Sequence, residues 1–239
     1  MNVVAGLHPV EEALRSGRPI EQVHVQQGAE RRLGEILDLC RSAGIRVQYA
    51  PRQALDRMAG GAVHQGVVAI AGGQVYANLD RVLDSLTAPG LLVVLDGIED
   101  PHNLGAIVRT AHAAGANAVI IPERRAAGIT PVTAKAAAGA LEYLPVCRVT
   151  NIARTLEELK EKSYWVVGLD EGGEKSFREI DYRGGCIIVL GGEGGGLHRL
   201  VRERCDWIAS IPMAGALGSL NVSVAAGIVL YEAQRQRGG

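Results

Sequence analysis

LLVVLDGIEDPHNLGAIVR, residues 91–109, reads as strand, loop and helix in immediate succession. Residues 91–95 form an unbroken apolar run, the length of one strand buried on both faces. The stretch from Asp96 to Asp100 carries three carboxylates, and Gly97 and Pro101 mark a loop. Residues 104–114 are mostly apolar and predict a helix, with Asn103 placed to cap it. The same unit recurs. Short apolar runs at 118–121, 165–169, 186–190 and 207–211 predict further strands, separated by predicted helices at 131–140, 152–162, 197–203 and 220–236. Strand–helix alternation implies an α/β domain, a parallel sheet with helices on both faces.

Upstream, the pattern is smaller in scale. A short helix is expected at 9–16, strands at 22–26, 45–49 and 67–71, and a helix at 30–42 with Gly44 just beyond its end. Gly72-Gly73 and the polar residues through Asn78 read as a linker. The expected organisation is a first domain at 1–72, a linker and lead-in helix at 73–90, and a larger domain at 91–239.

Composition narrows the function. With 47% hydrophobic and 21% charged residues, the 239-residue chain has enough apolar material for a sizeable core. No apolar run approaches the roughly 20 residues of a membrane span. Residues 1–9 lack the basic and apolar regions of a signal peptide, so a cytoplasmic location is expected. Cys40, Cys147, Cys186 and Cys205 are far apart, which suggests neither a zinc site nor a disulfide framework. A net charge of −1 argues against non-specific coating of nucleic acid, which needs many phosphate contacts, though not against a local grip on RNA. Aromatics at 4% make a base-stacking platform improbable.

In parallel sheets chemistry gathers beyond the carboxyl ends of the strands. Three loops stand there: Asp96 to Gly105, Gly191 to Gly196, and Pro212 to Asn221. The second, GGEGGG, is not a dinucleotide loop, because a G-x-G-x-x-G register from Gly192 would need glycine at Leu197. It can be a simple turn, yet Glu193 amid five glycines has no packing role and is expected to point at something. Arg109 can be a surface arginine, but on so apolar a helix a partner or a function is expected. Ser219 and Asn221 both suit a helix start, and capping accounts for only one. His8 and His64 can touch RNA or merely start a helix and close a turn. Arg124-Arg125 can bind phosphate or be a solvated pair.

Together, D-G-I-E-D-P-H-N-L-G-A-I-V-R (96–109), V-L-G-G-E-G-G-G-L (189–197) and I-P-M-A-G-A-L-G-S-L-N-V-S (211–223) resemble, in order and spacing, the three motifs of the SpoU family of RNA 2′-O-methyltransferases in the SPOUT superfamily. G-L-H-P-V (6–10) and G-A-V-H-Q-G-V (61–67) resemble that family's substrate-binding domain, a small ribosomal-protein-like α/β RNA-binding fold. The resemblance implies a trefoil-knotted parallel-sheet domain whose knot forms the pocket for S-adenosyl-L-methionine. It implies a homodimer with the active site near its interface, an RNA substrate (ribosomal or transfer RNA) and no metal. Asn103, Arg109, Glu193, Ser219 and Asn221 would be catalytic, and Gly191, Gly192, Ile211 and Leu220 would bind the cofactor. Arg109 is the residue the family suggests for activating the ribose hydroxyl. A guanidinium holds its proton, so a cation stabilising the developing alkoxide is the sounder role, with an RNA phosphate as a candidate proton acceptor. The competing classes are a non-catalytic RNA-binding protein and a nucleotide-dependent oxidoreductase. The apolar helix at 220–236, with Val222, Val224, Ala225, Ile228, Val229 and Leu230, is expected at the dimer interface or within one subunit.

Overall fold

The computed structural model describes residues 2–16, 20–71, 76–192, 195–215 and 218–238. The chain divides into two compact units, Met1–Val75 and Tyr76–Gly239.

The first unit runs β1 (Asn2–Ala5), α1 (Leu7–Arg15), β2 (Ile20–Gln26), α2 (Gly34–Ser42), β3 (Arg46–Ala50), α3 (Arg52–Ala59) and β4 (Val67–Ala71). Its four-stranded sheet has the order β1-β4-β2-β3, in which only β2 and β3 are parallel. Strand alternation splits the side chains. Val23, Val25, Val67 and Ala69 face a core with Val10, Leu33 and Ile36 from the α1–α2 side, while Val68 faces Leu55 of α3. The two motif segments of this unit are stitched together. The Gln65 side chain accepts from Leu7 N at 3.0 Å, and Gly6 N donates to Val67 O at 3.2 Å. His64 is buried and structural: Nδ1 accepts from Gly66 N at 3.0 Å, and Nε2 meets Asp56 Oδ1 at 2.9 Å. It closes a turn. His8 is exposed on α1.

The second unit runs α4 (Leu79–Ser85), β5 (Leu91–Asp96), α5 (Pro101–Ala113), β6 (Ala118–Pro122), α6 (Pro131–Ala137), β7 (Val146–Val149), α7 (Ile152–Glu161), β8 (Trp165–Leu169), β9 (Lys175–Ser176), β10 (Cys186–Gly191), α8 (Arg199–Arg202), β11 (Trp207–Ser210) and α9 (Val222–Gln236). All its strand pairs are parallel, in the order β7-β6-β5-β10-β8-β11-β9. The expected α/β sheet is thus present, with helices on both faces. One core joins α5, α6 and α9 to the sheet, and the other joins α7 and α8. β5 is buried at every position and β10 at all but its last, which is why both read as continuous apolar runs. Each fully buried aliphatic side chain there contributes roughly 1.5–3 kcal/mol.

Local rules explain the helix starts. Asp100 caps α5 by accepting from His102 N at 2.9 Å, and Pro101 occupies the first helical position. This corrects the expected cap: Asn103 lies inside the first turn and is buried, at 6% exposure. α5 then crosses α6 closely at Gly105, where a Cβ would sit 2.5 Å from both Thr133 O and the Ala136 Cβ. Asn151 caps α7, and Ile152, Thr155, Leu156 and Leu159 form its buried stripe.

α9 is shared between core and surface. Val222, Ala226, Val229, Leu230 and Ala233 are buried in this chain's own core, whereas Val224 and Tyr231 are 51% and 53% exposed. Its end is tied down: Gln236 accepts from Tyr182 N and donates to Ile180 O, and Arg237 donates to Tyr182 O and Gly184 O. Hydrogen bonds from Arg235 and Gln236 hold the Glu232 carboxyl down at about 2. Burial pushes the thiols of Cys147, Cys186 and Cys205 up to about 11, 12 and 12, so they stay protonated and unreactive near neutral pH. No helix among the described residues is long and apolar enough to cross a membrane.

Candidate active site

In the larger sheet the chain leaves β5 for β6 and β7 on one side, while β8 and β11 lie on the other side of β10. Such a switch in strand order opens a crevice beyond the carboxyl ends of the strands. The loops after β5, β8, β10 and β11 meet there and enclose two neighbouring cavities.

The first, of about 660 Å³, is lined by the ends of β8 and β10, by Gly195 and Gly196, and by the loop leading into α9. Gly191, Gly192, Ile211, Ser219, Leu220 and Asn221 all line it. Its size suits a small-molecule site. Close backbone approach creates it. A Cβ on Gly191 would lie 2.2 Å from the carbonyl carbon of Gly196, and one on Gly192 would lie 2.3 Å from Gly97 O. Gly192 and Gly196 pair as an isolated antiparallel bridge. Leu169, Leu190, Ile211, Met213 and Leu220 supply apolar surface for a flat ring. Asp170 and Glu171 add carboxylates. Asp170 is neutralised by Arg202 at 3.0 Å and accepts from Gly172 N at 3.0 Å. Apolar slot, backbone edges and the Glu171 carboxylate together fit an adenosine-bearing cation.

The second cavity, of about 540 Å³, shares Gly192, Gly195, Gly196 and Val222 with the first. Its other walls are Asp96, Gly97, Ile98, Glu99, Asp100, Asn103, Arg125 and His198. Of the Arg124-Arg125 pair, Arg125 is therefore the one that faces the site. It holds a left-handed backbone, φ +55°, unusual for a residue with a side chain.

One hydrogen bond ties the two cavities together. Asn221 Nδ2 donates to Asn103 Oδ1 at 3.0 Å. Asn221 Oδ1 accepts from Ser223 N at 2.9 Å and so caps α9. Asn221 is the cap; Ser219 is not, and lies exposed in the wall of the first cavity. Arg109 stands apart. It is exposed on α5, lines neither cavity, and its side chain has no hydrogen bond or ion pair with another described residue. Glu193 lies outside the described residues.

Asp96 and His198 have no counterpart among the site residues expected from sequence. Asp96 ends the apolar run of β5 and is only 5% exposed. Its Oδ2 accepts from His198 N at 2.8 Å, and its Oδ1 lies 2.9 Å from His198 Nδ1. A carboxylate closing a buried strand is a signal in the sequence, but its partner lies 102 residues on, where no spacing rule reaches.

Similarity to known proteins agrees with this geometry. The pattern of the SpoU rRNA methylase family matches residues 90–231, and that of RNA 2′-O ribose methyltransferase substrate binding matches residues 3–76. The 23S rRNA (guanosine-2′-O-)-methyltransferase RlmB of Ralstonia nicotianae is 46% identical over 238 residues, 98% of this chain and 96% of that protein. The crystal structure of the SpoU methyltransferase AviRb from Streptomyces viridochromogenes, in complex with the cofactor AdoMet, superposes with a TM-score of 0.83. It is 28% identical and covers 98% of this chain and 90% of its own. The AdoMet-bound rRNA methyltransferase from Sinorhizobium meliloti superposes at 0.84, with 27% identity over 98% and 86% of the two chains. With both of its units matched and its three loops converging on one crevice, the chain belongs to the SpoU family of RNA methyltransferases.

Proposed function

We propose that this protein transfers the methyl group of S-adenosylmethionine to the 2′-hydroxyl of a guanosine ribose in 23S ribosomal RNA, acting in the cytoplasm. The observation that carries the reading is the pair of adjoining cavities joined by the Asn103–Asn221 hydrogen bond. A transfer reaction needs donor and acceptor held side by side. Gly191, Gly192, Ile211 and Leu220 would hold the donor through backbone groups and apolar contact in the first cavity. The second would take the acceptor nucleotide. The RlmB relative, similar over nearly all of both chains, supports the ribosomal target.

The cofactor supplies a methyl group already made electrophilic by its sulfonium. The protein therefore has to position the hydroxyl and stabilise charge gathering on its oxygen. Asn103 and Asn221, each fixed by the other, orient the ribose. Ser219 holds ribose or phosphate at the shared wall. Arg109, which lines neither cavity of its own chain, would supply the positive charge across the dimer interface proposed below, and Glu193 would order the site. No metal is required. The first unit grips the RNA. Incubation with labelled cofactor, total rRNA and total tRNA, followed by mapping, tests this directly. Label is expected on one 23S ribose; label on tRNA alone would reassign the target, and label on a base would refute ribose chemistry.

We also infer a two-fold homodimer that covers the outer side of α9. The helix leaves Val224 and Tyr231 about half exposed, with Ile228 between them only partly buried. α5, which carries the exposed Arg109, packs beside it, with Thr110 Cγ2 3.7 Å from the Cβ position of Gly227. An interface there brings Arg109 out of bulk solvent. Light scattering is expected to give twice the 25.2 kDa chain mass. A monomer that still methylates RNA would exclude the dimer.

A further inference from the structure

The reaction releases a proton from the 2′-hydroxyl, and of the residues assigned above only the Glu193 carboxylate, given an ordering role, is a base at all. Arg109 keeps its own proton, and asparagine and serine side chains are not bases near neutral pH. Of the proton-accepting side chains around the second cavity, Asp96, Glu99, Asp100 and His198, the histidine is the one whose ring is oriented by a buried carboxylate. We propose that His198, held by Asp96, accepts the proton of the acceptor 2′-hydroxyl, a proposal that rests on the ribose-methylation reading above.

The geometry specifies the form of the ring. A carboxylate only accepts hydrogen bonds, so both contacts at Asp96 are donations by His198: its backbone N–H at 2.8 Å and its Nδ1–H at 2.9 Å. With the proton on Nδ1, the neutral ring carries its lone pair on Nε2. A buried carboxylate that fixes a histidine's tautomer and orientation, and steadies the imidazolium when it forms, is the arrangement nucleophilic enzymes use to activate a hydroxyl. Here Asp96 is anchored at the end of β5 and is 7% exposed in its side chain, while the His198 side chain is 60% exposed. The ring lies against Gly97, whose absent Cβ would come within 3.1 Å of His198 Cε1. It lines the same cavity as Asn103.

The step balances without another reactant. The 2′-oxygen bonds to the methyl carbon as the carbon–sulfur bond breaks, the electron pair remains on sulfur, and the hydroxyl proton passes to Nε2. Imidazolium then returns it to solvent. The charged groups that share the cavity with the ring are Asp96 at the end of β5, Glu99 and Asp100 from the loop after it, and Arg125 from the loop after β6. On its own side, Arg199 is paired with Glu203 and Arg202 with Asp170.

Single-turnover methylation as a function of pH tests the assignment in wild type, His198→Ala, His198→Gln and Asp96→Asn. Wild type is expected to lose rate on the acid side, as a reaction with an essential general base does. His198→Ala and His198→Gln should be about 100-fold slower at neutral pH, within the range for loss of a general base, and should lack that acid limb. Their affinity for S-adenosylhomocysteine should stay within about twofold of wild type, since His198 lies outside the first cavity. Nitrogen-15 NMR of the imidazole provides a readout independent of turnover: the Nδ1–H tautomer in wild type, lost in Asp96→Asn. A rate within about threefold of wild type, an unchanged acid limb, or an Nε2–H tautomer in the native protein would each overturn the proposal. Methyl transfer to a base by wild type would instead bring down the ribose reading beneath it.

Discussion

Arg109→Ala lowers the single-turnover rate of methyl transfer by about 10²- to 10³-fold, the loss expected when one preorganised group that stabilises transition-state charge is removed. That corresponds to about 2.7–4 kcal/mol of transition-state stabilisation. The structure separates this effect from folding and from cofactor binding. Arg109 is exposed on α5, its side chain makes no hydrogen bond or ion pair with another described residue, and it lines neither cavity. Its removal should therefore leave the melting temperature and the affinity for S-adenosylhomocysteine nearly unchanged. Arg109→Lys keeps the charge but not the planar fork and should recover part of the rate. Turnover by the alanine variant at the wild-type rate would remove Arg109 from the reaction.

Gly191→Ala is expected to act in the opposite way, on the cleft rather than on the chemistry. The added Cβ would lie 2.2 Å from Gly196 C, 2.3 Å from Gly196 O and 2.6 Å from Leu197 N. All three are backbone atoms, so no side-chain rotation relieves the clash. The glycine loop must move away from the end of β10 and open the wall common to both cavities. Affinity for S-adenosylhomocysteine is expected to fall at least about 100-fold, or about 2.7 kcal/mol. Overpacking should also cost about 1–3 kcal/mol of stability. Calorimetry and thermal unfolding measure the two separately. Cofactor binding at wild-type strength would show that the contact between β10 and the loop does not shape the site.

Sequence patterns expose some layers of this protein and hide others. The buried strands β5, β8 and β10 are plain because both faces are covered, which leaves continuous apolar runs. The elements that escape notice are those whose pattern is weak. β1 is a four-residue strand, β7 has an arginine among its four residues, and α3 buries only Leu55. The start of α5 carries two competing cap signals, Asp100 and Asn103. Asp100 followed by Pro101 is the stronger signal, and it leaves Asn103 free to turn inward toward Asn221. Chemistry followed the same division. Gly191, Gly192, Ile211, Ser219, Leu220 and Asn221 gather round one cavity because each lies at a strand end or in the loop beyond it. The isolation of Arg109 within one chain and the Asp96–His198 pair are products of three-dimensional arrangement, to which local spacing gives no access.

The contacts that close the site also govern when it appears during folding. Asn103 meets Asn221 across 118 residues, and Asp96 meets His198 across 102. Closing a flexible loop of that length costs about 2 kcal/mol more in chain entropy than closing one of ten residues. Contacts of such high order slow folding, because their entropy is lost before their energy is gained. The first cavity forms only when the ends of β8 and β10 and the start of α9 have docked, and the second needs the loop after β5 as well. Cofactor affinity should therefore emerge late and in one step during refolding, after most of the helical signal has already returned.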